Sequence, residues 1–250
     1  MKELEIAKLA CYKAGDFLLN LKEKKKINFN KGKDIKLQAD LESEKIICEI
    51  LTNAFPYPIL SEESYKISNE EKKGIYWVVD PLDGSLNFSQ DIPLCCISIA
   101  LYENNKPILG VIYDFYRDEI FSGIVGVGAW LNDKKIIPSD NIKDKSQAIL
   151  ATGFSSYMNY DKDGLMEFIS NIQEFKKIRL LGSAALSLAY VACGRIDAYY
   201  EKDIAIWDVA AGIAILESLG NITYSFFQNE LKCLIRVENK LKEKNDIRAN

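Results

Sequence analysis

Over residues 4–21 the apolar side chains Ile6, Ala10, Ala14, Phe17, Leu18 and Leu21 recur at three- and four-residue steps, which predicts an amphipathic helix. A second stripe, Ile46, Ile47, Ile50 and Leu51, predicts a helix over 41–54, with Asp40 standing before it as a natural N-cap. The polar stretch 28–38 between them, rich in lysine and containing Gly32, reads as a loop or irregular hairpin and as a candidate flap. Short apolar runs follow at 58–60 and 75–79, and both end in acid: Glu62-Glu63 after the first, Asp80 after the second. Pro81 disfavours helix at Asp80 and should stop the second strand there.

Strand-like runs at 94–101, 108–113 and 119–125, with a turn around Asn132-Asp133, predict an antiparallel meander. From about residue 146 strands alternate with helices: strands at 148–152, 178–181 and 198–200, helices over 164–175, 183–193 and 209–219, and closing strands near 222–224 and 231–237. That rhythm is a layered α/β half. The chain therefore reads as an α+β half over 1–145 and an α/β half over 146–250. Without a Pro-, Ser- or Gly-rich linker, the two should pack as one compact unit.

With 250 residues and 48% hydrophobic composition the chain can bury a sizeable core. A net charge of −4 argues against a general binder of nucleic acid or membrane surface. The densest charge run, 22–26, reads as a solvated helix end. A charged N-terminus and the lack of a long uncharged apolar stretch predict a cytoplasmic protein. Six cysteines without Cys-x-x-Cys spacing predict reduced, buried thiols, and the neighbours Cys95 and Cys96, in one strand, should point to opposite faces.

The chain has no histidine. Metal-assisted or acid–base chemistry must then rest on oxygen ligands, which suits hard cations. Asp80-Pro81-Leu82-Asp83-Gly84-Ser85 forms a strand-to-helix corner, where Gly84 permits a tight backbone and the new helix begins at Ser85 or Leu86. Two unit charges about 4 Å apart repel by about 4 kcal/mol at an effective dielectric near 20. If Asp80 and Asp83 meet Glu62 and Asp208, protonation or divalent metal must relieve the crowding, and with four or five acids two magnesium ions are the economical solution. The same corner offers backbone N–H groups to a phosphate, and Ser85 is placed to orient an attacking water, its hydroxyl bonded to a nearby acid such as Asp40. Taken singly, each segment has a plainer reading: Asp-Pro-Leu-Asp-Gly as a surface turn, Glu62-Glu63 as exposed loop acids, and Asp208 as the N-cap of the 209–219 helix with Gly220 as its stop. Trp207 reads as packing, Ser183 as the N-cap of an almost wholly apolar helix, and Glu201 either as a hydroxyl acceptor or as an exposed strand-end acid.

Together, Glu62-Glu63, the run Asp80 to Phe88, and Trp207-Asp208-Val209-Ala210-Ala211-Gly212 resemble the inositol monophosphatase family of lithium-sensitive, magnesium-dependent phosphatases. That family carries a Glu-Glu pair, then Asp-Pro-(Ile/Leu)-Asp-Gly-(Thr/Ser)-x-Asn-Phe, then Trp-Asp-x-Ala-Gly or a close variant. Likeness extends to Gly182-Ser183-Ala184-Ala185 and Asp197-Ala198-Tyr199-Tyr200-Glu201, so it spans nearly the whole chain. The resemblance implies a layered α-β-α-β-α sandwich, a homodimer, and two or three magnesium ions held by Glu62, Asp80, Asp83, Asp208 and the Leu82 carbonyl. It implies that Ser85 and Asp40, with Glu62, serve the nucleophilic water, and that Gly84 and Ser85 hold phosphate through backbone amides. Gly182, Ser183, Ala184, Glu201 and Asp208 would then line the place of the alcohol. Three positions depart from the pattern: Ser85 where threonine is commoner, Leu86 where threonine or phenylalanine is frequent, and 33–40, a loose match to Asp-Leu-Val-Thr-x-x-Asp. The implied activity is hydrolysis of a phosphorylated polyol such as inositol monophosphate, with Asn87 and Glu201 favouring that branch. Alternatives are a 3′(2′),5′-bisphosphate nucleotidase, a fructose-1,6-bisphosphatase, or a non-catalytic regulatory protein on the same fold.

Overall fold

The computed structural model describes residues 1–21, 27–31, 34–64, 66–138, 143–155, 160–220, 223–229, 232–238 and 241–242; the charge run at 22–26 lies outside them. Helix α1 (Lys2–Asn20) is followed by β1 (Ile27–Lys31) and β2 (Asp34–Leu37), an antiparallel pair, and by α2 (Gln38–Ala54). Next come β3 (Ile59–Ser61), β4 (Ile75–Asp83), the short α3 (Ser85–Ser89), β5 (Cys96–Glu103), β6 (Lys106–Asp114), β7 (Glu119–Ile124), β8 (Gly128–Leu131) and β9 (Lys134–Lys135). The remainder comprises β10 (Lys143–Asp144), β11 (Ile149–Thr152), α4 (Lys162–Ile172), β12 (Lys177–Leu180), α5 (Ala184–Ala192), β13 (Ala198–Ala205), α6 (Ile206–Leu219), β14 (Thr223–Asn229), β15 (Lys232–Glu238) and β16 (Leu241–Lys242).

Strands β3 to β9 form a seven-stranded sheet in chain order, antiparallel except for the β3–β4 pair. A five-stranded sheet runs β12-β11-β13-β15-β14. Helices α1 and α2 cover one face of the larger sheet, α5 and α6 lie between the two sheets, and α4 covers the outer face of the smaller one. This is an α-β-α-β-α sandwich, as the resemblance implies.

Strand β4 shows why its sequence is apolar throughout. Tyr76 and Val78 enter the core shared with α5 and α6, while Trp77 and Val79 enter the core beneath α1 and α2. Cys95 and Cys96 divide in the same way, one to each core, and neither is in a disulfide. Helix α6 lies so close to β6 that a Cβ at Gly110 would collide with the Ala211 carbonyl.

Four local expectations change. Strand β4 does not stop at Asp80; its register breaks there and pairing resumes at Asp83 opposite Cys96. The break accommodates Pro81, which has no N–H to give the ladder, and leaves Pro81 and Leu82 displaced between the paired residues Asp80 and Asp83. Helix α2 starts at Gln38, so Asp40 sits inside its first turn rather than capping it. Helix α6 starts at Ile206 with Ala205 at the N-cap, which leaves Asp208 in the first turn and free of a capping role. Strand β13 runs on to Ala205 through a register break after Glu201, with Asp203 at φ 58°. The stop at Gly220 is as expected, at φ 68°.

Candidate active site

Parallel pairing of β3 with β4 sets Ser61 opposite Val79, and the Glu62 N–H donates to the Val79 carbonyl at 3.3 Å, so Glu62 arrives beside Asp80. The first turn of α6 brings Asp208 to the same point. Carboxylate oxygens of Glu62, Asp80 and Asp208 lie within 4.8 Å of one another. Asp80 is 1% exposed; its Oδ1 accepts from the Leu82 N–H at 3.0 Å, and its Oδ2 is buried with no hydrogen-bond partner. A buried, unsatisfied carboxylate oxygen is costly unless something electropositive meets it. Burial, then the charges of Glu62, Asp83 and Asp208, push Asp80 well above the usual carboxylate range. Burial, then Glu62, Asp83 and Glu201, do the same to Asp208. An orphaned oxygen among three convergent carboxylates fits a divalent cation, and these residues can hold one.

Asp83 is turned differently. Its Oδ2 accepts from the Ser183 hydroxyl at 2.6 Å and from the Ala185 N–H at 2.7 Å, so this carboxylate sits against the start of α5. Burial raises Asp83 to about 6, against the lowering effect of those donors. Ser183 is also the α5 N-cap, accepting from the Leu186 N–H at 3.2 Å. Gly182 precedes it at φ 72°, pressed against Asn87, and a Cβ there would lie 2.9 Å from the Asn87 Nδ2. Asn87 spends its amide donors on the carbonyls of Leu94 at 2.7 Å and Leu181 at 2.8 Å. It ties the two site segments together, a structural duty that the sequence did not suggest.

Gly84 adopts φ 89°, the left-handed turn that opens α3. Immediately after it, the Ser85 hydroxyl lies 2.7 Å from Asp40 Oδ1 and 2.9 Å from the Leu82 carbonyl, sharing one proton between two acceptors. Asp40 thus reaches the corner from α2 as expected. Two further α2 residues escaped the sequence reading. The Ser43 hydroxyl donates to the Pro81 carbonyl at 2.7 Å, and Glu44 accepts from the Ser61 hydroxyl and from the N–H groups of Glu63 and Ser64, each at 3.2 Å. The available signal was their spacing: Asp40, Ser43 and Glu44 occupy the same buried stripe as Ile47 and Leu51.

Glu201 projects from β13 and is buried, with its Oε2 accepting from the Tyr199 hydroxyl at 2.7 Å. Burial raises it to about 7. Gly153, just beyond β11, leaves room for it; a Cβ there would lie 2.7 Å from the Glu201 Cδ. Trp207 is packed in the core between the sheets, with the Lys66 ammonium 4.8 Å from its ring centre. The structure thus gathers Glu62, Asp80 and Asp208 in one cluster, puts Asp83 and Ser183 in direct contact, and pairs Ser85 with Asp40.

A family model described as the inositol monophosphatase family matches residues 2–247. Similar relatives include an inositol-1-monophosphatase of Synechocystis, 37% identical over 234 residues covering 89% of this chain and 78% of that protein. A Nus factor SuhB of Xylella fastidiosa is 42% identical over 195 residues, 77% of this chain and 70% of its own. An inositol monophosphatase structure from Anabaena superposes with a TM-score of 0.81 at 34% identity, covering 95% of this chain and 90% of that one. With the match running almost end to end, this chain belongs to the inositol monophosphatase family.

Proposed function

We propose that this phosphatase-family protein is a magnesium-dependent phosphomonoesterase that hydrolyses a phosphorylated polyol, with inositol monophosphate as the first substrate to test. The observation that carries this reading is the buried Asp80 Oδ2, unpartnered between Glu62 and Asp208 and five residues before Ser85. Glu62, Asp80, Asp83, Asp208 and the Leu82 carbonyl are the proposed ligands of two or three magnesium ions. Bound there, the ions supply charge neutralisation at the phosphoryl oxygens and lower the pKa of a water. Ser85, donating to Asp40, keeps lone pairs available to accept from the attacking water and so fixes its direction. Gly84 and Ser85 cradle phosphate with their backbone amides, and Gly182, Ser183, Ala184 and Glu201 bound the alcohol side. Hydrolysis by direct in-line attack needs positioning and charge neutralisation and no covalent nucleophile, which suits a chain without histidine.

Phosphate release from inositol-1-phosphate, fructose-1,6-bisphosphate and adenosine-3′,5′-bisphosphate, measured side by side with magnesium and with added lithium, tests the proposal. Turnover of the first, abolished by chelator and inhibited by lithium, is expected. Cleavage of none of the three sinks the reading. The proposed assembly is a homodimer, checked by light scattering in solution. A second reading, a regulatory protein on the same fold, draws on the similarity to a protein named as a Nus factor. It predicts that Asp80→Asn leaves the cellular role intact, where the enzymatic reading predicts its loss.

A further inference from the structure

Helix α2 turns a polar face toward the site, and each of its three buried polar residues holds a different segment. Asp40 reaches Ser85, Ser43 reaches the Pro81 carbonyl, and Glu44 reaches the loop that follows β3. Glu44 is 2% exposed. Its Oε1 gathers the Ser61 hydroxyl and the N–H groups of Glu63 and Ser64, donors that bracket Glu62 on both sides.

Packing alone does not account for Glu44. It lies on a stripe whose neighbours Ile47 and Leu51 are fully buried, where an apolar side chain would avoid the cost of desolvating a carboxylate. What an apolar side chain cannot do is accept from two nearby backbone amides and a hydroxyl. Such charge-assisted hydrogen bonds are stronger than neutral ones, and leaving the donors unmet is expensive. Glu62 meanwhile stands in a cluster whose like charges drive it away from Asp80 and Asp208. The grip on residues 61, 63 and 64 opposes that drift.

We infer that Glu44 is a positioning residue, which by fixing the loop around Glu62 sets the affinity of the carboxylate cluster for its divalent cation. This rests on the metal reading above. Glu44 touches neither the cation nor the substrate; it acts through the placement of Glu62.

The test titrates the full chain with Mn2+ and follows free Mn2+ by electron paramagnetic resonance, a readout independent of turnover. Glu44→Gln keeps an acceptor oxygen but loses the charge and should weaken binding about tenfold, while Glu44→Ala should approach a 100-fold loss, the range seen when residues supporting metal ligands are removed. Ser61→Ala deletes one of the donors and should cost roughly threefold. At saturating Mg2+ the kcat of Glu44→Gln should return toward the wild-type value. Ile47→Val, one turn along the same stripe, should lower Tm and leave Mn2+ affinity unchanged. If Glu44→Gln and Ser61→Ala lower Tm but bind Mn2+ like wild type, Glu44 is only structural and the inference is wrong. Asp80→Asn separates the two failures. Mn2+ binding lost in Asp80→Asn but unmoved in Glu44→Gln keeps the metal site and rejects Glu44, whereas a wild-type chain that binds no Mn2+ rejects both.

Discussion

The Ser85 hydroxyl lies 2.7 Å from Asp40 Oδ1, joining the first turn of α3 to the first turn of α2 across 45 residues. If this pair directs the attacking water, Ser85→Ala should lower kcat by about 10²- to 10⁴-fold, the usual value of a positioned proton-handling group. Ser85→Thr keeps the hydroxyl and should retain activity. Asp40→Asn should resemble Ser85→Ala in kcat, with KM changed little. Steady-state kinetics on the three variants checks this, and full activity in Ser85→Ala would remove the pair from the mechanism.

Asp80 illustrates a conflict between stability and function. In cation-free protein its buried Oδ2 has no hydrogen-bond partner and lies among carboxylates, so Asp80→Asn, whose amide can donate to Glu62 or Asp208, should stabilise the fold by on the order of 1–3 kcal/mol. Activity should be abolished at the same time. Thermal unfolding in chelator and phosphate release in Mg2+, run on one preparation, test both halves.

The raised carboxyl groups also fix a pH dependence. Asp83 near 6 and Glu201 near 7 bind protons in the folded state that the unfolded chain, with carboxylates near 4, has already released. Between about pH 4 and 7 the native state therefore holds more protons, and stability contributed by these groups declines as pH rises. For Asp83 alone the loss is on the order of 3 kcal/mol. Mg2+ should recover it: the Tm gain on adding Mg2+ should be large at pH 7.5 and small at pH 5, where protonated carboxyls bind cations poorly. Equal gains at both pH values would contradict this.

Gly153 and Glu201 offer a test of the alcohol side. A methyl at position 153 would press on the Glu201 carboxylate, so Gly153→Ala must displace it at a cost of about 1–3 kcal/mol. KM for the polyol phosphate should rise more than kcat falls, while Mn2+ affinity stays put. A fall in Mn2+ affinity alongside the rise in KM would instead place Glu201 beside the cation.

Much of this protein was legible before folding. Hydrophobic periodicity located α1, α2, α4, α5 and α6 and most strands of both sheets, because a side chain that must be buried leaves its period in the sequence. Asp80, Asp83, Gly84 and Ser85 were recognisable because the corner they form needs Pro and Gly within a few residues, and the absence of histidine narrowed the chemistry to oxygen ligands. Tertiary structure alone decided what each acid touches. Asp208 and Asp40 each read both as a cap and as a site acid, and the fold removed the cap by starting their helices a few residues earlier, a shift of helix boundary with little local cost. Asp83, from the same motif as Asp80, is claimed by Ser183 and Ala185 a hundred residues away, while Asp80 keeps an oxygen unpartnered. Glu44 and Ser43 gave no more signal than their place on a buried stripe, because their partners are mostly backbone groups, which every residue carries and which only the fold can bring within reach.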